Sequence, residues 1–187
     1  MFIQTEQTPN PQTLKFLPGK VVMDEGTAFF QKSEDAHNSP FAKRLFDVDG
    51  VEGVFFGSDF ITITKNSSTD WQVMKPLVLG SIMDHYNSNE ETIITNKKEE
   101  NISLRTSEDD TETVKQIKEL LDTRVRPAVA MDGGDIIYDS FKDGIVYLHM
   151  QGACSGCPSS TATLKMGIEN MLKHYVPEVQ EVRPVDA

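Results

Sequence analysis

Residues 135–175, "DIIYDSFKDGIVYLHMQGACSGCPSSTATLKMGIENMLKHY", change periodicity twice. "DIIYDSF" and "GIVYLHM" read as two strands joined through Lys142-Asp143-Gly144, a hairpin signature. From Pro158 onward, Leu164, Ile168, Met171, Leu172 and Tyr175 fall along one stripe of a helix. Between the second strand and that helix lie the only two cysteines of the chain, Cys154 and Cys157. Upstream, Val114, Ile117, Leu121 and Val125 recur at i, i+3, i+7 and i+11, predicting a helix capped by Asp110 or Thr111. Arg126-Pro127 predicts its stop or a kink. "AMDGGD" is a turn in which Gly133 and Gly134 permit positive φ. "EVQEVRPV" adds an edge strand. The order is α-β-β-α, with the cysteine pair in the loop before the last helix.

The other half of the chain is different in order but similar in kind. "QTLKFLP" and "KVVMDEG" read as strands around Pro18-Gly19, and "SPFAKRLFDVDG" as a short helix with Ser39 as N-cap, Pro40 first and Gly50 after its end. "VEGVFFGSDFITITK" is a hairpin about Gly57-Ser58-Asp59. "VMKPLVLGSIMDHY" is a helix with Leu77, Ile82 and Tyr86 among its apolar residues and Pro76 near its first turn. Residues 87–110 are rich in Asn, Ser, Glu and Lys, lack an aromatic and show no sustained period, which predicts a polar flexible linker. The expectation is an α+β protein of two small α/β-sandwich domains, 1–86 and 111–187, joined by 87–110.

Composition excludes several classes. The 187 residues carry a formal charge of −11. Phosphate binding needs clustered Lys and Arg, and no such run occurs, so nucleic acid is not an expected partner. No stretch approaches the ~20 apolar residues that span a bilayer, so no membrane is expected either. The start, "MFIQTEQTPNPQ", has neither the basic, apolar character of a secretory signal nor that of an Arg-rich transit peptide. A three-residue disulfide loop would constrain the unfolded chain little, so a reducing compartment is expected.

The chemistry of the chain is concentrated at its cysteines. Pro158 at the first helical position places Cys157 at the N-cap, where free N–H groups and the helix dipole favour thiolate. Gly152 and Gly156 leave backbone space beside the sulfurs, and the Ser159 and Ser160 hydroxyls are placed to hydrogen-bond anionic sulfur. Three uses compete. A structural zinc needs four ligands, and the four histidines are isolated at 37, 85, 149 and 174. A thiol–disulfide oxidoreductase also carries CxxC at a helix start, but its fold needs further elements after that helix, and few residues follow Tyr175. An iron–sulfur cluster takes four thiolates, which two copies of this loop related by a two-fold axis would supply. Spacing alone leaves cluster binding and redox exchange level, with a zinc shared by two chains behind.

"RPAVAMDGGDI" at 126–136, followed by "GACSGCPSSTATLKMGIENMLK" at 152–173, resembles the Nfu family, the NifU C-terminal-like iron–sulfur scaffolds and carriers. "TPNPQTLKF", "SPFAKRLF", "GVEGVFFG" and "DFITITK" are similar to the additional N-terminal domain of two-domain members. The resemblance implies a labile [4Fe-4S] cluster bridged between two protomers, with Cys154 and Cys157 as its ligands. It also implies a homodimer on cluster binding, upstream assembly proteins that supply the cluster and apo-proteins that receive it. Carriage rather than turnover is expected, hence no enzyme. A leader typical of mitochondrial members is missing from the start, so a bacterial cytoplasm is expected, or a mitochondrial matrix had a leader been removed.

Other prominent residues carry plainer expectations. Asp132 and Asp135 either place an acid near the cluster or, as the plainer reading, cap or solvate the glycine turn, and His149 is a packed or surface side chain on its strand. Arg126 either steers an anionic partner or serves a solvated or helix-end role. Met166 and Met171 are core by helical spacing, and Trp71, Phe55 and Phe56 are N-terminal core.

Overall fold

The computed structural model describes residues 1–94, 110–156 and 158–185, the side chains of 158–160 excepted. The chain divides into two compact units, Met1–Asn101 and Ile102–Ala187, each with mixed helix and sheet. This is the expected α+β class with two domains. Residues 95–109 of the expected linker lie outside the described residues.

In the first unit, β1 (Gln4–Gln7), β2 (Thr13–Leu17), β3 (Ala28–Phe30), β4 (Val51–Phe56) and β5 (Ile61–Lys65) form one antiparallel sheet, ordered β1-β2-β5-β4-β3. Helices α1 (Pro40–Phe46) and α2 (Trp71–Ser88) supply Phe41, Leu45, Val78 and Ile82 to the core that also holds Phe16, Phe56 and Ile63. Ser39 caps α1, its hydroxyl accepting from Ala42 N at 3.0 Å and donating to Thr92 O at 2.5 Å. Ile94 N also donates to Asn38 O at 2.8 Å. The backbone just after α2 is thereby tied to the start of α1.

Three expectations for this unit are corrected. "KVVMDEG" is not a strand: Val22 N and Met23 N both donate to Ser58 O, at 2.8 and 3.2 Å. No regular ladder continues from these two bonds to a shared carbonyl, and both edges of β2 are already taken by β1 and β5. Pro76 lies inside α2 rather than in its first turn. The buried face of α2 is Met74, Val78, Ile82 and His85, leaving Leu77 53% exposed. His85 takes an inward position because its ring stacks on Phe41, with centroids 3.8 Å apart and planes 4° off parallel.

The second unit begins with α3 (Glu112–Leu120), capped by the Thr111 hydroxyl on Val114 N. Ile117, Leu121 and Val125 are buried along its continuation. Of the stop or kink expected at Arg126-Pro127, the stop does not occur: residues Leu121–Val125 make a π-helical turn that runs into α4 (Arg126–Met131). Proline at 127 has no N–H to give, and widening the preceding turn absorbs that loss without ending the helix. Strand β6 (Gly134–Lys142) pairs antiparallel with β7 (Ile145–Gly152), and β8 (Glu181–Val185) runs parallel to β7. Asp143 and Gly144, at φ 51° and 78°, make the hairpin turn. Helix α5 (Pro158–Tyr175) contributes Ile168 and Leu172 to a core with Ile136, Val146, Leu148 and Val182. Met166 is not core: it is 65% exposed, whereas Met171 packs on the cluster. Tyr175 is half exposed and carries Arg124 over its ring at 5.0 Å.

Candidate metal centre

The cysteine loop is suspended between β7 and α5, and the glycine turn before β6 lies against it. Ala153 N donates to Gly133 O at 3.1 Å, Cys154 N to Gln151 O at 3.4 Å and Ser155 N to Gly152 O at 3.1 Å. From α5, Thr161 Oγ1 donates to Cys154 O at 3.2 Å. The turn thus holds the loop at Ala153 and the helix holds it at Cys154. Gly152 and Gly156 sit at φ 63° and 78°, which a side chain would strain.

The two glycines of "AMDGGD" have separate reasons to be glycine. Gly133 has φ 83°, the expected use. Gly134 has an ordinary φ, and its reason is space: a Cβ there would stand 2.5 Å from Cys154 Sγ and 2.8 Å from Gln151 O. The sulfur rests directly on the Gly134 backbone.

Behind the turn stands an ion pair. Asp135 is 3% exposed, and Arg126 donates to it from Nε and Nη2, both at 2.8 Å. The third guanidinium nitrogen, Nη1, donates to Asp122 at 3.0 Å. Hydrogen bonding to Asp135 and its charge hold the guanidinium protonated beyond its usual range. Arg126 therefore has every nitrogen on a carboxylate, and neither the steering role nor the helix-end role describes it. Asp135 is buried and paired rather than a solvated cap. Sequence reasoning missed the pair; the signal was an arginine and an aspartate nine positions apart within the same quoted motif.

Burial pushes the Cys154 thiol up to about 12, with the Asp132 and Asp135 carboxylates adding in the same direction. The expected bias toward thiolate does not hold for this sulfur: it is 6% exposed, and loss of water outweighs the nearby helix start. Cys157, Ser159 and Ser160 were expected beside it; Cys157 and the two serine side chains lie outside the described residues. His149 is not drawn into the loop but pairs with Asp139 at 3.0 Å on the half-exposed sheet. Among the described residues, no three His, Cys, Asp or Glu side chains gather into a metal-holding group, and no helix is long and apolar enough to cross a membrane.

Residues 3–89 match the family described as "Scaffold protein Nfu/NifU N terminal", and residues 117–183 match the "NifU-like domain". Over 184 residues the chain is 54% identical to NifU-like protein 4, mitochondrial, of Arabidopsis thaliana, covering 97% of this chain and 65% of that protein. It is 52% identical over 186 residues to the Drosophila sechellia protein named NFU1 iron-sulfur cluster scaffold homolog, mitochondrial, covering 99% and 65%. NifU-like protein 5, mitochondrial, of Arabidopsis thaliana is 53% identical over 184 residues, covering 97% of this chain and 67% of that one. The chain thus spans about 65% of the length of the first two relatives. A solution structure of a NifU-like protein from Saccharomyces cerevisiae is 28% identical over 50% of this chain and 84% of that one, at a TM-score of 0.45. The relatives are named mitochondrial, so the expected bacterial cytoplasm finds no support among them. Matched in both halves and along nearly its whole length, the chain belongs to the Nfu family of NifU-like proteins.

Proposed function

We propose that this protein is an iron–sulfur cluster scaffold or carrier. Its cargo is a labile [4Fe-4S] cluster held between two protomers by Cys154 and Cys157 of each, then handed to apo-proteins. The observation that carries the reading is the seating of Cys154: a buried sulfur pressed on Gly134, in a loop turned by Gly152 and Gly156 at positive φ. A chain with two cysteines brings half of a four-thiolate shell, and a symmetric pair of loops brings the whole. The relatives' printed names, iron-sulfur cluster scaffold among them, fit the same role. The cluster-binding module is 111–187, the accompanying Nfu N-terminal module 1–86, and 87–110 joins them. Upstream assembly proteins load the site and client apo-proteins empty it; the role is carriage, not catalysis. The relatives are named mitochondrial, and the compartment proposed for this protein is the mitochondrial matrix.

Anaerobic reconstitution with iron and sulfide, followed by iron analysis and mass in solution, tests this. The expected product is a dimer with about two irons per chain, since one four-iron cluster is shared by two protomers. Cys154→Ser or Cys157→Ser should each abolish loading. A colourless monomer, or a reversible Cys154–Cys157 disulfide that turns over disulfide substrates, would replace this reading with thiol exchange.

A further inference from the structure

We infer that Arg126 and Asp135 are positioning residues for Cys154, setting where its sulfur sits by pinning the Gly133-Gly134 turn on which it rests. This rests on Cys154 being a ligand, as proposed above. The chain of contacts is short. Arg126, the first residue of α4, grips Asp135 with two parallel 2.8 Å bonds, the geometry that fixes orientation as well as distance. Asp135 follows Gly134 directly and pairs across the ladder with Gln151, while Gly134 pairs with Gly152. Gly133 O receives Ala153 N, and Gly134 has no room for even a Cβ under the sulfur. A shift of the turn therefore moves both the backbone hydrogen bond that holds the loop and the surface that the sulfur touches.

The π-helical turn Leu121–Val125 flanks this pair. It lies just before Arg126, and on it Asp122 accepts the outer guanidinium nitrogen at 3.0 Å. The guanidinium is thus held from the helix side by Asp122 and from the strand side by Asp135. Only the second grip is buried: the Asp122 side chain is 41% exposed and the Asp135 side chain 4%. An exposed ion pair contributes little and a buried one fixes geometry, so Asp135 sets the position and Asp122 is dispensable.

The test uses the full chain with Cys157→Ser, leaving one thiol, and follows alkylation of Cys154 by iodoacetamide under native conditions. Arg126→Leu should speed alkylation by roughly tenfold or more while far-UV circular dichroism and cooperative unfolding are retained, because the loop opens locally. Asp122→Asn should leave the rate within about twofold of the parent. Should Arg126→Leu fail to fold because it orphans the Asp135 carboxylate, the double variant Arg126→Met with Asp135→Asn removes both charges and is read in the same way. A folded variant lacking the pair, with Cys154 as protected as in the parent, overturns the inference, since a purely structural ion pair lowers stability without freeing this thiol. The readout needs no cluster. Failed loading of the parent would sink the carrier reading and leave the alkylation result standing; normal protection in the pairless variant would do the reverse.

Discussion

Protonation of Cys154 sets the sharpest pH dependence in the protein. The ordinary value for such a thiol is 9.0, and burial, aided by Asp132 and Asp135, pushes Cys154 up to about 12. That difference corresponds to a ~1000-fold smaller thiolate fraction near neutrality, or about 4 kcal/mol favouring the thiol. The sign follows from which state prefers the proton. The folded state holds it more tightly, so the stabilisation is fully present below 9.0 and is lost as pH rises toward about 12. In a Cys157→Ser chain, Cys154 alkylation should be ~1000-fold slower at pH 8 than for a free thiol, rising with pH past 9 without levelling. Stability to urea should decline over the same alkaline range, and Cys154→Ser should remove that decline. Metal loading must expel the same proton, so affinity for iron should climb with pH. An alkylation profile that levels at or below pH 9 would refute the reasoning, because it would place the sulfur in water or beside a cation.

Gly134→Ala should cost about 1–3 kcal/mol through overpacking against Cys154 Sγ and Gln151 O and should lower iron per chain on reconstitution. Ser39→Ala should cost about 1 kcal/mol, since it removes the α1 cap and the bond to Thr92 O together; thermal unfolding would show a loss confined to the first unit. Leu172→Ala, at a site with no exposure, should cost about 2–5 kcal/mol by leaving a cavity under α5, read from denaturant midpoints. His85 is held below its usual 6.5 by burial and then by Arg44, with Glu90 opposing. The neutral ring is the folded form, so its contribution is present above 6.5 and is lost as pH falls through the lower folded value. Acid titration of stability should show this loss, and His85→Leu should flatten it.

Periodicity and turn chemistry made much of this fold legible before any coordinates. The β4–β5 and β6–β7 hairpins carry their turn residues in sequence, Ser39-Pro40 announces α1, and Ile117, Leu121 and Val125 mark one buried stripe. The failures have a common cause. "KVVMDEG" has strand composition, yet the N–H groups of Val22 and Met23 converge on Ser58 O, a partner distant in sequence that no local pattern reveals. His85 is inside because Phe41 lies flat against it. Met166 is the exception: it stands about 200° around α5 from Ile168, so its exposure was already written in the helical period.

The cysteine loop divides in the same way. Sequence alone determined that this chain brings two thiols at CxxC spacing, between a strand and a helix, in a motif shared with a known family. Those are properties of residue identity and order, which the chain carries whether folded or not. Only the tertiary structure decided that Cys154 is buried and protonated, that Gly134 is glycine for want of space, and that Arg126 is locked to Asp135. Desolvation, close approach and ion pairing depend on which atoms the fold brings together, and that is a property of three-dimensional distance rather than of spacing along the chain.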